Sequence, residues 1–175
     1  MRFDFFRSAR NRPLIARLHG EIVAAARRPV FFTSYGVPDT FEGRFEMVTL
    51  HAGLVLRHLA TLPEPAPALA RDITDAIFSH FDAALRETGV GDIAVPKKMK
   101  DLTQAWLGRN LACDAALLGQ GEALEAVLSR NVLAGKGDAK RLAAYAMQAA
   151  RDLGGLDFAA VAARPLPFTD AEKIV

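Results

Sequence analysis

A regularly spaced set of apolar side chains runs through residues 41–62 and constrains the fold more than any other feature of the chain. Its members alternate at steps of four and three residues, which brings them to one face of an α-helix. They are Phe41, Phe45, Val48, Ala52, Val55, Leu59 and Leu62. Further apolar residues (Met47, Leu50, Leu54 and Leu56) widen this face. The sequence therefore predicts a central helix that other helices cover on most sides.

The polar residues of this segment give its expected start and its expected solvent side. Asp39 followed three residues later by Glu42 predicts an N-cap pair. Glu42, Glu46, Thr49 and Arg57 fall opposite the apolar face, so we expect them to point away from the core.

The rest of the chain predicts an all-α fold. Clusters of proline and glycine divide it into about seven helical segments, and its Ala and Leu content favours helices over strands. Its 175 residues are close to the usual size of one domain. We predict a single compact multi-helix domain over residues 1–175, in which residues 1–28 form a basic, amphipathic N-terminal helix or arm.

Four of these segments carry specific expectations. The first strong helix begins near Pro13, and its apolar stripe packs on its own domain in the commoner outcome. That stripe is Leu14, Ile15, Leu18, Ile22 and Val23. The third helix, near 67–88, repeats the amphipathic pattern. The fourth begins at Lys97 and buries some combination of Met99, Leu102, Trp106, Leu107, Leu111 and Leu118. Asp138 predicts the N-cap of the sixth.

Composition and charge narrow the class of protein. No run approaches the roughly 18 apolar residues of a membrane span, and the N-terminus lacks the apolar core of a secretory signal. The single cysteine, Cys113, suits a reducing compartment. We expect a cytoplasmic protein, with peripheral attachment at the inner face of the plasma membrane as an option. Residues 1–28 carry seven Arg against two acids. Anionic lipid, ribosomal RNA or an acidic protein could meet this arm, although a solvated surface is commoner.

The histidines and acidic residues do not form a convincing catalytic or metal site. His51 and His58 are seven residues apart, so about 10 Å of helix rise separates them, and half-buried, hydrogen-bonded histidines are the expected outcome. An acidic group on the third helix (Asp72, Asp75 and Asp82, with His80) could hold Mg²⁺, but a solvated acidic face is expected. Cys113 has the setting of a buried structural thiol. We therefore expect no catalytic residues, no metal and no cofactor.

Scattered basic residues of the second half do not predict specific nucleic-acid binding. Lys97, Lys98, Lys100 and Arg109 are among them, but no recognised motif or aromatic-bearing strand accompanies them.

Residues 31–51 are the most informative stretch. Five of the chain's thirteen Phe and Tyr residues fall within positions 31–45, in an aromatic loop that leads into the central helix. Such residues anchor either a core or a partner, and residue character alone favours a core.

This stretch also resembles a known family. The run from Tyr35 to Met47, Tyr-Gly-Val-Pro-Asp-Thr-Phe-Glu-Gly-Arg-Phe-Glu-Met, is similar to the signature of the ubiquinol–cytochrome c chaperone family. Residues 81–92, followed by Val95 and Lys97 to Lys100, resemble the family's middle block. The segments 106–109 and 114–117 continue in the same order. The resemblance covers roughly residues 30–165, the expected chaperone-family core.

The resemblance implies an assembly factor without catalytic residues. Mitochondrial relatives bind newly made cytochrome b, act with a small helical partner and associate with the ribosome near its exit. We expect the partner-binding or client-binding residues to be Tyr35, Phe41, Arg44, Phe45, His51, Lys97 and Lys98. Of these, Phe41 and Phe45 share the core-facing stripe, whereas Tyr35 and Arg44 are the better candidates for contact.

One rival hypothesis is a helical carrier or enzyme that holds a lipid, a quinone or a haem between its helices. Its support is the face that bears His51 and His58, together with the acidic group on the third helix. A deep cavity lined by these side chains would favour it.

Overall fold

The fold is built from helices whose lengths follow the breaks in the sequence. A computed structural model describes the backbone of residues 3–174 and the side chains of residues 11–174. This part contains eight α-helices and one 3-10 turn, and no strand. The helices are α1 (Phe3–Ala26), α2 (Pro29–Thr33), α3 (Phe41–Thr61), α4 (Ala66–Glu87), α5 (Val95–Leu117), α6 (Leu124–Asn131), α7 (Lys140–Gly154) and α8 (Phe158–Ala163), and the 3-10 turn is Ala171–Lys173. The all-α prediction is confirmed, and the short α2 lies in a segment predicted to be a break.

Helix α3 is the centre of the packing, as its apolar pattern predicts. It contacts α1, α4, α5 and α7, and it buries residues on both its predicted core face and its flanks. The prediction that Glu46 and Thr49 point away from the core is wrong, because both are buried. Helix α5 packs on that side of α3, so the central helix has almost no solvent face along this part.

The start of α3 differs by one residue from its prediction. Thr40, rather than Asp39, is the N-cap, and its hydroxyl accepts a hydrogen bond from the amide of Gly43 at 3.2 Å. Asp39 instead pairs with Arg44 at 2.7 Å. The Thr40 hydroxyl satisfies an otherwise unpaired amide at the helix start, so the one-residue error leaves the prediction of a capped helix intact. A similar shift occurs at α7, where Ala139 is the N-cap and Asp138 accepts from the Lys140 amide.

Helix α1 packs on its own domain through the predicted stripe. Leu18 and Ile22 are fully buried, Leu14 and Ile15 pack beside them, and the helix contacts α3 and α4. It begins at Phe3, so the prediction of a start near Pro13 is wrong, and the proline lies inside the helix.

The apolar patterns of α4 and α5 differ in how many of their residues are buried in the structure. The α4 pattern is confirmed by burial of its leucine, isoleucine and phenylalanine side chains at 69, 73, 77, 81 and 85. In α5, Trp106 is buried, and Met99 and Leu102 pack against the core, whereas Leu107, Leu111 and the C-cap residue Leu118 are exposed. The expectation that some combination of these residues is buried is therefore confirmed, and three leucines do not belong to that combination.

No helix in the described part of the chain is both long enough and apolar enough to cross a membrane.

Candidate functional site

The aromatic residues of the 31–51 segment form one buried cluster. Phe31 lies edge-on to Tyr35, His51 and Tyr145, with ring centroids 5.0–5.4 Å apart. The hydroxyl of Tyr35 donates to the carbonyl of Ala171 at 2.6 Å. Edge-on aromatic contacts of this kind stabilise a packed core, so this cluster anchors α2 and the following loop to α3, α7 and the C-terminal segment.

His51 is the polar centre of this cluster. Its Nδ1 lies 2.8 Å from the Met47 carbonyl and its Nε2 lies 2.8 Å from the Tyr145 hydroxyl. A neutral imidazole fits both contacts, with Nδ1–H as donor and Nε2 accepting from the tyrosine. Burial lowers the pKa of His51 to about 4, which keeps the ring neutral. His58 also has a partner, the Leu156 carbonyl at 2.9 Å. Hydrogen-bonded histidines are thus confirmed, and both are buried rather than half-buried.

The seven predicted contact residues do not form one surface. Tyr35, Phe45 and His51 are buried, so in this conformation their side chains pack inside the fold. Phe41 is half-buried and Arg44 is exposed.

The exposed members of the set fall in two places. Arg44 and the half-buried Phe41 line a cavity of about 440 Å³ with Arg27 and His80, and the buried Phe45 forms part of its wall. Lys97 and Lys98 are exposed on the first turn of α5 and are not part of that cavity's lining.

The other candidate reactive groups have structural surroundings. Asp82 pairs with Arg86 at 2.8 Å, which holds the pKa of that carboxyl below its ordinary value. Burial raises the pKa of the Cys113 thiol to about 11, so the reactive thiolate is scarce at neutral pH. Among the described residues, no group of three or more His, Cys, Asp or Glu side chains is placed to hold a metal.

An apolar groove lies between α3, α5 and α6 and is here called the α3–α5–α6 groove. Its cavity volume is about 550 Å³. Its walls are mostly apolar, and they include the only tryptophan and the only cysteine of the chain. They include Leu50, Gly53 and Leu54 of α3, Trp106, Cys113 and Leu117 of α5, and Val127 and Leu128 of α6. A mostly apolar pocket with a few polar groups is the usual form of a binding site.

Three leucines line the groove and remain open to solvent. Leu107, Leu111 and Leu118 are 56%, 72% and 53% exposed. Leu107 and Leu111 lie one turn apart on α5, and Leu118, the C-cap residue, follows after seven more residues, so the three lie on the same side of the helix. Exposed apolar side chains grouped on one side of a helix are a frequent feature of interaction sites.

Two ion pairs cross between α3 and α5 in the groove wall. Arg109 Nε donates to Glu46 Oε1 at 3.0 Å, and eleven residues further along α3, Arg57 pairs with Asp114. Burial raises the pKa of Glu46 above its ordinary value, while the nearby Arg109 charge opposes that shift. These pairs hold the two walls in fixed register, because each fastens one turn of α3 to one turn of α5.

The sequence does not identify the groove, although the leucines that line it form a visible apolar pattern. The sequence pattern includes Leu107, Leu111 and Leu118 among the candidate core residues, because a helix face that binds a partner has the same apolar pattern as one that binds its own domain. The two kinds of helix face differ only in how many other helices are available to cover α5.

An all-helical domain with an open apolar groove has a form that is common among protein-binding modules. The family model described as "Ubiquinol-cytochrome C chaperone" matches residues 33–168. The chain belongs to this family.

A solved structure extends the likeness to the whole chain. The protein described as the Cbp3 homolog from Brucella abortus is 36% identical, the match covers 100% of both chains, and the TM-score is 0.85. No curated protein matches the chain significantly.

Proposed function

We propose that the protein is a non-enzymatic assembly chaperone of ubiquinol–cytochrome c reductase that holds an apolar helix of newly made cytochrome b in the α3–α5–α6 groove. Family membership supports the chaperone role. The observation that carries the proposal is the open leucine face beside an apolar groove, because a client of this chemistry would cover both.

The dimensions of the groove suit a row of helix side chains. Its α5 wall runs from Trp106 to Leu118, which is about 18 Å at 1.5 Å per residue. A volume of about 550 Å³ over that length leaves a cross-section of roughly 30 Å², far less than that of a helix about 10 Å wide. The groove would therefore accept successive anchors at helical spacing while the client helix lies over the exposed leucines.

The length of the α5 wall indicates how much of a client helix the groove would cover. About 18 Å corresponds to roughly 12 residues of helix, whereas a membrane span needs about 20. The chaperone would cover more than half of one span and leave the remainder for the membrane or for a further partner, such as a small helical protein.

The predicted contact residues take different parts in this proposal. Tyr35, Phe45 and His51 would support the fold from inside. Phe41 and Arg44, beside their own cavity, and Lys97 and Lys98, on the first turn of α5, would contact a partner subunit, a ribosome or anionic lipid. We place this work at the cytoplasmic face of a bacterial inner membrane, where a basic surface is attracted to anionic headgroups.

A carrier role is the second candidate, and one observation favours it. The volume of the groove also suits a lipid tail or a quinone. Neither His51 nor His58 lines it, so it offers a haem no histidine ligand. An organic extract of the purified protein that contains stoichiometric quinone or lipid would support this candidate, and an extract without either would count against it.

Complementation of a deletion strain tests the chaperone proposal. Strains that carry the wild-type gene, Leu107→Asp with Leu111→Asp, or Ile93→Asp would be compared for assembled reductase by native electrophoresis and for reductase activity. The double variant is expected to lose assembly, because aspartate opposes the docking of an apolar helix.

Ile93 is the matched control, because it is 98% exposed and is not part of the groove. Ile93→Asp should behave like the wild type. Normal reductase in the deletion strain itself would contradict the proposed function. Normal assembly with the double variant would contradict its assignment to the groove.

A further inference from the structure

Thr49 brings an unpaired polar group to the wall of the α3–α5–α6 groove. It is 2% exposed and lines the groove, and its hydroxyl has no hydrogen-bond partner in the protein. A buried hydroxyl without a partner is unfavourable, so such groups are rare and call for an explanation.

The other threonines of the chain differ from Thr49, because their hydroxyls have hydrogen-bond partners. Each of the other seven hydroxyls makes a hydrogen bond. Five of them donate to a carbonyl of the preceding turn, as Thr61 does to His58 and Thr74 does to Ala70. Local bonding of this kind is the usual outcome for threonine in a helix, and Thr49 departs from it within a binding groove.

The surroundings of Thr49 are polar but electrically balanced. Glu46 precedes it by three residues, so the two share one face of α3, and both line the groove. The Glu46 carboxylate is already paired with Arg109. An incoming charged group would be left without a free counter-charge, whereas an uncharged polar group would find a hydroxyl donor and a carboxylate acceptor.

We propose that Thr49 is a specificity-determining residue that selects apolar helices carrying one uncharged polar side chain, of the amide type, among their groove-facing anchors. This inference rests on the proposed function, because it assumes that a helix occupies the groove. An amide carbonyl would accept from the Thr49 hydroxyl, and its N–H would donate to Glu46, so that both partners complete their hydrogen bonds.

Binding of matched helical peptides tests the proposal. The probes are Lys-flanked Leu/Ala helices in which Asn replaces Leu at one of three successive turns, together with the all-Leu parent, since Asn and Leu have similar shapes. Fluorescence of Trp106, the only tryptophan and a groove residue, reports binding without a label. The proteins are the wild type, Thr49→Val, which removes the hydroxyl at nearly constant shape, and Thr49→Ser, which keeps it.

The expected result is a change in preference. For one of the three Asn positions, the ratio of the Kd for the Asn peptide to the Kd for the Leu peptide should rise about 3- to 10-fold in Thr49→Val, and Thr49→Ser should restore it. Equal ratios in all three proteins would overturn the role of Thr49 and leave the groove assignment standing. Failure of every peptide to bind the folded wild type would overturn both.

Discussion

Replacement of Gly43 by alanine tests how the start of α3 is held in place. Gly43 lies in the family-like run, and a Cβ at this position would come within 2.0 Å of the Pro38 carbonyl oxygen and 3.0 Å of its carbonyl carbon. These are backbone atoms, so they cannot turn aside as a side chain does. The Pro38 carbonyl also accepts a hydrogen bond from the Thr40 amide at 2.9 Å, and Thr40 is the N-cap of the helix.

Two opposing terms set the magnitude. Alanine is favoured over glycine inside a helix by about 1 kcal/mol. Forcing the loop away from the helix costs about 1–3 kcal/mol as overpacking, and weakening the Thr40 cap costs about 1 kcal/mol more. The net expectation is a loss of about 2 kcal/mol in unfolding free energy, which for a domain of this size lowers Tm by roughly 4–8 °C.

Gly20→Ala is the matched control, because Gly20 lies inside α1 with nothing within 4 Å of an added Cβ. It should raise stability by up to about 1 kcal/mol. Thermal and urea unfolding, followed by circular dichroism and by Trp106 fluorescence, measure both variants. If Gly43→Ala raises stability as Gly20→Ala does, the packing argument for the Pro38 contact is refuted.

Three further predictions concern His51, Gly53 and Cys113. The pKa of His51 is lowered to about 4 in the folded protein, so the unfolded chain takes up a proton on this histidine at a higher pH. The free energy of unfolding should therefore fall by about 3 kcal/mol as the pH drops from about 6.5 to 4. Urea unfolding across this pH range measures the fall, and a flat profile would contradict the prediction. In Gly53→Ala, the added Cβ would lie 2.1 Å from the Asn110 side-chain oxygen in the groove. Because that side chain can move aside, Tm should stay within a few degrees of the wild type, but the displaced side chain should weaken peptide binding. A large loss of Tm would contradict this reasoning. The Cys113 thiol, with a pKa of about 11, should react with iodoacetamide near pH 8 about 100-fold more slowly than an unperturbed thiol, and unfolding in urea should restore the ordinary rate.

The central helix could be predicted from the sequence because one physical rule dominates it. A pattern of apolar residues at steps of three and four over six turns leaves few alternatives to a buried helix, and the burial of Phe45, Val48 and Leu59 follows it. Its first residue could not be predicted exactly, because Asp39 and Thr40 are both good N-cap residues. In the structure Thr40 caps the helix and Asp39 pairs with Arg44.

The buried polar side of α3 could not be predicted in the same way. Glu46 and Thr49 are polar and lie off the apolar stripe, which is the usual signature of a solvent face. Their burial depends on α5, whose Arg109 supplies a partner to Glu46 from 63 residues away. Only the tertiary structure brings these residues together.

The protein family could be predicted from the sequence, whereas the position of the α3–α5–α6 groove could not. Agreement of several sequence blocks indicated the chaperone family, and the match over residues 33–168 confirms it. The aromatic residues of those blocks, such as Tyr35, hold the core in this structure. The exposed surface lies instead on α5, where Leu107 and Leu111 show a pattern that does not distinguish a core face from a partner-binding face.

Site-specific crosslinking tests the groove assignment most directly. A photoreactive amino acid would replace Leu111 in the groove or, as the control, Ile93 outside it, and cells would be illuminated while cytochrome b is being made. The account predicts a crosslink to cytochrome b from position 111, at least several-fold stronger than from position 93. Crosslinks of equal strength from both positions, or a crosslink from position 93 alone, would contradict it.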